Sequence, residues 1–133
     1  MVGKNLGGSV ASYAIDDSVS CLVATGSVPR LSRFWAESLF PVAVENRKGF
    51  SAKQISHFQA ETRQFDLTES AARLPMRYLI QFGQNDPWIE SQDVLALESK
   101  LTRPPLITWL NDGHAMSADP TVTARIEFIR GCL

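Results

Sequence analysis

The chain has 133 residues, 13 Lys+Arg against 14 Asp+Glu, and 44% apolar residues, which describes one globular domain able to bury roughly two-thirds of its unfolded surface. A net charge of −1 without basic runs excludes the footprint of a nucleic-acid or membrane-surface binder, and no apolar run approaches the ~18 residues of a membrane span. No apolar leader core follows Met1–Asn5, and two cysteines, Cys21 and Cys132, make no disulfide framework, so the expectation is a cytoplasmic protein with two reduced, buried thiols.

The chain contains no fixed-period repeat and no low-complexity tract. It opens on a Gly-rich turn at residues 2–8. A helix is expected over Gly7–Ala14, with Val10, Ala11 and Ala14 on one side. Val19–Thr25 is the first strand candidate. Ser32–Phe40 reads as a short helix that ends at Pro41. Ser51 and Gln54 form a capping-box pattern ahead of Ile55, Phe58, Thr62 and Phe65 at helical spacing. Asp66–Glu69 looks like another helix start, and Pro75 bars its continuation.

Met76–Phe82 is the second strand candidate. Ser91 can cap a helix bearing Val94, Leu97 and Leu101, which stops before Pro104 and Pro105. Leu106–Leu110 is the third strand. Asp119 as N-cap and Pro120 at the first helical position open a last helix carrying Val122, Ile126 and Ile129, and Gly131 closes it. All three strands are β-branched or aromatic-rich and nearly continuously apolar, as strands covered on both faces are.

Strands separated by helices pair in parallel through right-handed crossovers. The expected fold class is therefore α/β, a three-layer sandwich with a short parallel sheet of about three strands flanked by helices. Residues 1–133 form a single domain. Residues 31–72 form a helical excursion of lid or cap type, whose Phe50, Phe58 and Phe65 suggest helices lying over something.

In an open parallel sheet, ligands sit beyond the carboxyl ends of the strands. Gly83–Trp88 follows the second strand and carries Asp86. Asn111–His114 follows the third and carries His114. An Asp at that edge can orient a His and stabilise its imidazolium while the other ring nitrogen acts as general base. Asp112 is the local competitor for the acid, but it lies beside the His in sequence. A nucleophile would sit on a sharp turn leading into a helix. Gly3-x-Asn5-x-Gly7-Gly8 has that shape, with glycines two before and two after the central residue.

Three further features are read from the residues. Two histidines and two cysteines scattered along the chain lack ligand-pair spacing, so no metal site is expected. Gly3-Lys4-Asn5 lacks the upstream Gly and the following Ser/Thr of a phosphate loop. His57, mid-helix beside Phe58, reads as structural. Trp35 and Trp88 are candidates for a pocket mouth, whereas Trp109, inside a strand, reads as core. Phe34, Trp35, Leu39 and Phe40 fit either a lid or one buried helix face.

Taken in order, Gly3-x-Asn5-x-Gly7-Gly8, Gln81-Phe82-Gly83-x-x-Asp86 and Asp112-Gly113-His114 resemble the C-terminal half of an α/β-hydrolase. They are similar in particular to the dienelactone-hydrolase and carboxylesterase-like bacterial branch. The elbow–Asp–His order is that family's order, and the resemblance spans essentially the whole chain. It implies a partial α/β-hydrolase fold and a nucleophile–His–Asp hydrolase of carboxylic esters or similar acyl compounds. Asp86 is then the acid, His114 the base, Asn5 the nucleophile position and the Leu6 N–H an oxyanion donor. No cofactor is implied.

The sequence departs from the family in two respects. Position 5 is a carboxamide with no hydroxyl or thiol for His114 to deprotonate, and Ser9 and Ser12 lie about 5 Å or more along the helix from the elbow tip. The family's earlier strands and one oxyanion loop have no counterpart. The expectations are a truncated or altered copy with impaired activity or, alternatively, a non-catalytic pseudo-hydrolase acting as a binding or self-association module. In the latter case Val19–Thr25 would be an uncovered sheet edge prone to self-association.

Overall fold

The computed structural model describes residues 1–16, 18–74, 77–101 and 106–132. The expected roles of Pro75, Met76, Pro104 and Pro105 lie outside these residues. The elements run β1 (Val2–Lys4), α1 (Leu6–Tyr13), β2 (Leu22–Thr25), α2 (Leu31–Glu37), α3 (Pro41–Arg47), α4 (Ala52–Thr62), a 3-10 turn at Arg63–Phe65, α5 (Leu67–Ser70), a 3-10 turn at Ala71–Arg73, β3 (Tyr78–Gly83), α6 (Ser91–Lys100), β4 (Leu106–Leu110) and α7 (Asp119–Arg130).

The chain is α/β, with four parallel strands in the order β1-β2-β3-β4. The fourth is the Gly-rich opening. Val2–Lys4 is extended and pairs with Val23–Thr25, so β2 is an inner strand and β1 holds the edge that the sequence pattern gave to Val19–Thr25. A three-residue strand containing Gly has too little periodicity to register as one.

The sheet is covered on both faces. Ala24, Ile80 and Phe82 join Leu67, Val94 and Leu97 in the main core, under α1, α5 and α6. The neighbouring residue in β3, Gln81, points the other way, and its Nε2 donates to Thr121 O of α7 at 3.0 Å. Every residue of β2 and β3 is buried, as their uninterrupted apolar character requires.

The packing face of α1 differs from expectation. Gly8, Ser9 and Ser12 are buried, while Val10 is 58% exposed. The helix lies too close to the sheet for larger residues: a Cβ on Gly3 would sit 2.6 Å from Gly7 O and 2.7 Å from Gly8 Cα. The buried serines are fully engaged. Ser9 Oγ donates to Val28 O at 3.1 Å and accepts from Val28 N at 2.8 Å. Ser12 Oγ donates to Gly8 O at 2.7 Å, so the Tyr78 hydroxyl donates to it. Burial pushes the Tyr78 phenol above its ordinary range, which suits a donor that stays protonated.

Caps hold the helices in part where expected. The Ser51–Gln54 capping box is present. Glu90 and Ala118, not Ser91 and Asp119, occupy the N-cap positions of α6 and α7, and neither makes a side-chain cap bond; Ser91 and Asp119 are the first residues of their helices. Asp66 precedes α5, but its carboxylate turns to α2 and accepts from Ser32 N at 2.9 Å and Ser32 Oγ at 2.7 Å. Arg33 ties α2 to α6 through Asp93 at 2.8 Å and Glu90 at 3.2 Å.

Within the 31–72 excursion, Phe50, Phe58 and Phe65 remain exposed. Phe50 and Phe58 line an open groove of about 820 Å³ with Trp35 and His57. His57 therefore lies on an exposed face of α4 and not in a core.

The cysteines are joined as a Cys21–Cys132 disulfide. The sequence reading of two reduced thiols is corrected here. Cys21 stands just before β2 and Cys132 just after α7, and the crossover returns α7 to the start of the sheet. The bridge spans a sequence separation of 111. A loop of that size restrains the unfolded chain strongly, so reduction is expected to cost about 2–4 kcal/mol of stability. Urea unfolding with and without reductant measures it as a lower midpoint.

Candidate active site

The parallel register brings the ends of β1, β2, β3 and β4 to one edge, and the loops leaving them carry the candidate residues. At the end of β1, Asn5 adopts φ 54° and ψ −129°. Positive φ is a region that L-residues avoid, and with ψ at −129° Asn5 also lies outside the left-handed helical well where Asn is enriched. Asn5 N donates to Thr25 O at 2.8 Å, and Asn5 O accepts from Gly8 N at 3.0 Å, so backbone bonds fix the bend on both sides. Gly3 and Gly8 are the glycines that the bend requires. A Cβ on Gly8 would meet Ser27 Oγ at 2.1 Å, whereas one on Gly7 would meet nothing within 4 Å.

Asp86 and His114 come together as the sequence suggested. Asp86 Oδ2 lies 2.7 Å from His114 Nδ1, with the Asp side chain 1% exposed and the His side chain 15%. Oδ1 of Asp86 accepts from the backbone N–H of Trp88 at 2.9 Å and of Ile89 at 3.2 Å. A carboxylate accepts here from the ring N–H at Nδ1, and this contact turns the other ring nitrogen, Nε2, away from Asp86. The Trp88 ring packs on the His114 ring at 4.6 Å.

Asp112 has a different task. Its Oδ2 accepts from Ala118 N and Thr121 Oγ1, each at 2.9 Å, and its Oδ1 from Gly113 N at 2.7 Å. It closes the His114 loop onto the start of α7.

The loops leaving β3 and β4 are zipped together. Gln84 N donates to Leu110 O at 2.8 Å, and Asn85 N to Asp112 O at 3.1 Å. Gly83 is necessary there, because a Cβ would come within 2.5 Å of Asp112 O and 2.7 Å of Gly113 O. The elbow and the His loop meet over Gly26 (φ 57°): a Cβ on it would sit 3.1 Å from His114 O and 3.3 Å from Asn5 Oδ1. Sequence reasoning missed Gly26 and buried Met116 (φ 49°). Gly26 carried a signal, a glycine at a strand end.

Leu6 is the first residue of α1, where an N–H has no partner within the helix. Trp35 lies farther from the dyad than Trp88 and is linked to it by edge-to-face ring contacts: Trp35–Phe40 at 6.5 Å and Phe40–Trp88 at 5.0 Å. Phe34 also packs on Phe40, at 5.6 Å, while Leu39 is exposed. Trp109 lies against Phe82 at 5.8 Å, beside the core. Among the described residues, no group of three or more His, Cys, Asp or Glu is arranged to hold a metal ion. No helix among them is long and apolar enough to cross a membrane.

No protein-family model matches the chain, and no curated protein matches it in sequence. Solved structures do match in fold. An acetyl xylan esterase from Paenibacillus sp. R4 superposes with a TM-score of 0.74 at 19% identity, over 98% of this chain and 44% of that one. Alpha/beta hydrolase domain-containing protein 10 from mouse matches with a TM-score of 0.66 at 18% identity, over 98% of this chain and 59% of its own. The esterase domain of a Rhodothermus marinus protein matches at 0.65 and 15% identity, over 98% and 57%. The chain thus spans about half the length of the structures that it matches, and its architecture is a partial α/β-hydrolase fold.

The Asp112 contacts carry a pH dependence. The Ala118 N–H, with further help from Thr121, Gly113 and Arg125, holds the Asp112 carboxyl below its ordinary 3.8. A depressed folded-state value means that the stabilisation is present above 3.8 and is lost as pH falls through the folded value. Asp112→Asn is therefore expected to lower the melting temperature at pH 7, with the gap to the native chain closing in acid. A gap unchanged between pH 7 and pH 2 would contradict the charged cap.

Proposed function

We propose that this chain derives from an α/β-hydrolase acting on carboxylic esters or similar acyl compounds, of the dienelactone-hydrolase and carboxylesterase-like kind. Its acid–base pair is Asp86–His114, and Asn5 occupies the nucleophile position. The observation that carries the reading is the 2.7 Å Asp86–His114 bond at the sheet edge shared with a positive-φ residue that opens a helix.

In this reading Asp86 keeps the Nδ1 proton in place and stabilises the imidazolium, and Nε2 takes a proton from a nucleophile and returns it to the leaving group. The Leu6 N–H faces the developing oxyanion, and Trp88, then Trp35, flank the acyl or alcohol portion. No cofactor takes part.

Asn5 closes the covalent route, because a carboxamide offers no O–H or S–H to deprotonate. Ser9 and Ser12 are buried and committed to other bonds, so neither replaces it. Acyl-enzyme chemistry by this chain is therefore impaired. The same observation supports a second reading, a non-catalytic pseudo-hydrolase that binds without turnover. As to compartment, the composition alone pointed to the cytoplasm, whereas the Cys21–Cys132 disulfide favours an oxidising setting.

The native chain should release no burst of alcohol from an activated aryl ester. Asn5→Ser should gain labelling by a fluorophosphonate, and adding His114→Ala should slow that labelling by about 10²–10⁴-fold. A native burst near one equivalent sinks the assignment of Asn5. An unlabelled Asn5→Ser chain with native circular dichroism leaves the non-catalytic reading.

A further inference from the structure

Helix α7 is fastened near both of its ends. At its start it holds the His114 loop: Ala118 N and Thr121 Oγ1 donate to Asp112 Oδ2, each at 2.9 Å, and Arg125 donates to Met116 O at 2.7 Å. Just past its end, Cys132 is joined to Cys21, immediately ahead of β2. The helix has 12 residues, about 18 Å of length between the two fastenings.

Strand β2 closes the frame on the other side. It leads from Cys21 to Gly26, where a Cβ would sit 3.1 Å from His114 O. β2 and α7 are thus two struts that meet at the His114 loop and are tied covalently at their far ends. β2 is paired with β1 and β3 and cannot shift without breaking the sheet. α7 can tilt about its start once the tie is cut. The bond that accompanies the disulfide at the far end, Arg77 Nη1 to Gly131 O at 2.6 Å, is exposed and competes with water. The loop is a suitable receiver of that motion. Met116 is buried at φ 49°, a conformation that persists only where its surroundings hold it, and Arg125 of α7 holds its carbonyl.

We propose that the Cys21–Cys132 disulfide is a redox switch for the His114 loop. Oxidised, it keeps α7 a strut and His114 against Asp86. Reduced by a dithiol, it frees the far end of α7 and loosens the loop. The step is thiol–disulfide exchange. A thiolate of the dithiol attacks Cys132 Sγ, because Cys21 is the buried partner at 8% exposed. The Cys21–Cys132 bond breaks, and Cys21 leaves as a thiolate that takes up a proton. The second sulfur of the dithiol then closes on the first and releases Cys132, which is protonated in turn. The chain gains two electrons and two protons, and the dithiol loses as many in becoming a disulfide. As a control of activity the switch rests on the Asp86–His114 reading; as a coupling between disulfide and loop it does not.

Native-state hydrogen exchange read by NMR tests the coupling, on the oxidised chain and in excess dithiol, without measuring turnover. The Met116 and Ala118 amides donate to Gly113 O and Asp112 Oδ2. Reduction should speed their exchange about tenfold more than that of the β3 amides. Cys132→Ser should show the reduced pattern without dithiol and not respond to it. Equal acceleration in the loop and β3 would mean lost global stability alone and would overturn the proposal. So would acceleration confined to residues beside the two cysteines, no acceleration, loss of the folded spectrum on reduction, or the oxidised pattern in folded Cys132→Ser. Failure of the hydrolase reading would appear in the labelling experiment and leave the exchange result standing.

Discussion

The parallel register of the four strands is the constraint on which the rest of the molecule depends. Lys4 pairs with Thr25, Thr25 with Gln81, Gln81 with Thr108, and Gly83 with Leu110. These pairings bring the carboxyl ends of all four strands to one edge. Asn5, Gly26, Asp86 and His114 belong to four different loops, yet each follows its strand by at most four residues. A one-residue slip of β3 against β4 would reverse the side-chain faces along β3 and pull Gly83 away from the Asp112–Gly113 backbone that it must meet. The geometry at this edge is therefore a by-product of strand pairing, and the two closely fitted glycines, Gly3 and Gly83, are where the pairing and the loops touch.

The two acids of the site divide the work by the direction of their hydrogen bonds. Asp86 is buried and takes two backbone N–H groups on one oxygen, leaving the other for His114. Such a carboxylate is oriented before any substrate arrives. Asp112 is the residue next but one to His114, yet it is spent on the start of α7, and α7 in turn buttresses the loop through the bond from Arg125 to Met116 O at 2.7 Å. The disulfide at the far end of α7 completes the restraint, so the His loop is supported by a helix pinned at both ends.

Long-range order in the chain was legible wherever a physical pattern extended over several residues. The continuous apolar runs of β2, β3 and β4, the Ser51–Gln54 box and the proline-led start of α7 all register in sequence because each is local and repeated. The strand-end positions of Asp86 and His114 followed from them. Three features were hidden for identifiable reasons. Val2–Lys4 is a strand only because β2 lies beside it. The packed face of α1 is mostly Gly and Ser because the helix sits so close to the sheet, and of the apolar side that periodicity picks out only Ala11 packs on the core. Cys21 and Cys132 are far apart in sequence, and only the final crossover brings them together.

Position 5 shows how a backbone bend can be held independently of the side chain it carries. The elbow demands positive φ, a conformation that costs of order 1–3 kcal/mol for an ordinary side chain and persists only where the surroundings over-determine it. Here the surroundings do so: the backbone bonds to Thr25 O and from Gly8 N, and the close fit of Gly3 and Gly8, hold the bend regardless of the side chain it carries. With ψ at −129° Asn5 lies outside the left-handed helical well where Asn is enriched, so its neighbours, and not its own side chain, hold it there. The bend therefore does not depend on the chemistry of the side chain at position 5. Asp86 and His114 remain aligned because their bond depends on β3, β4 and α7, none of which senses the identity of residue 5.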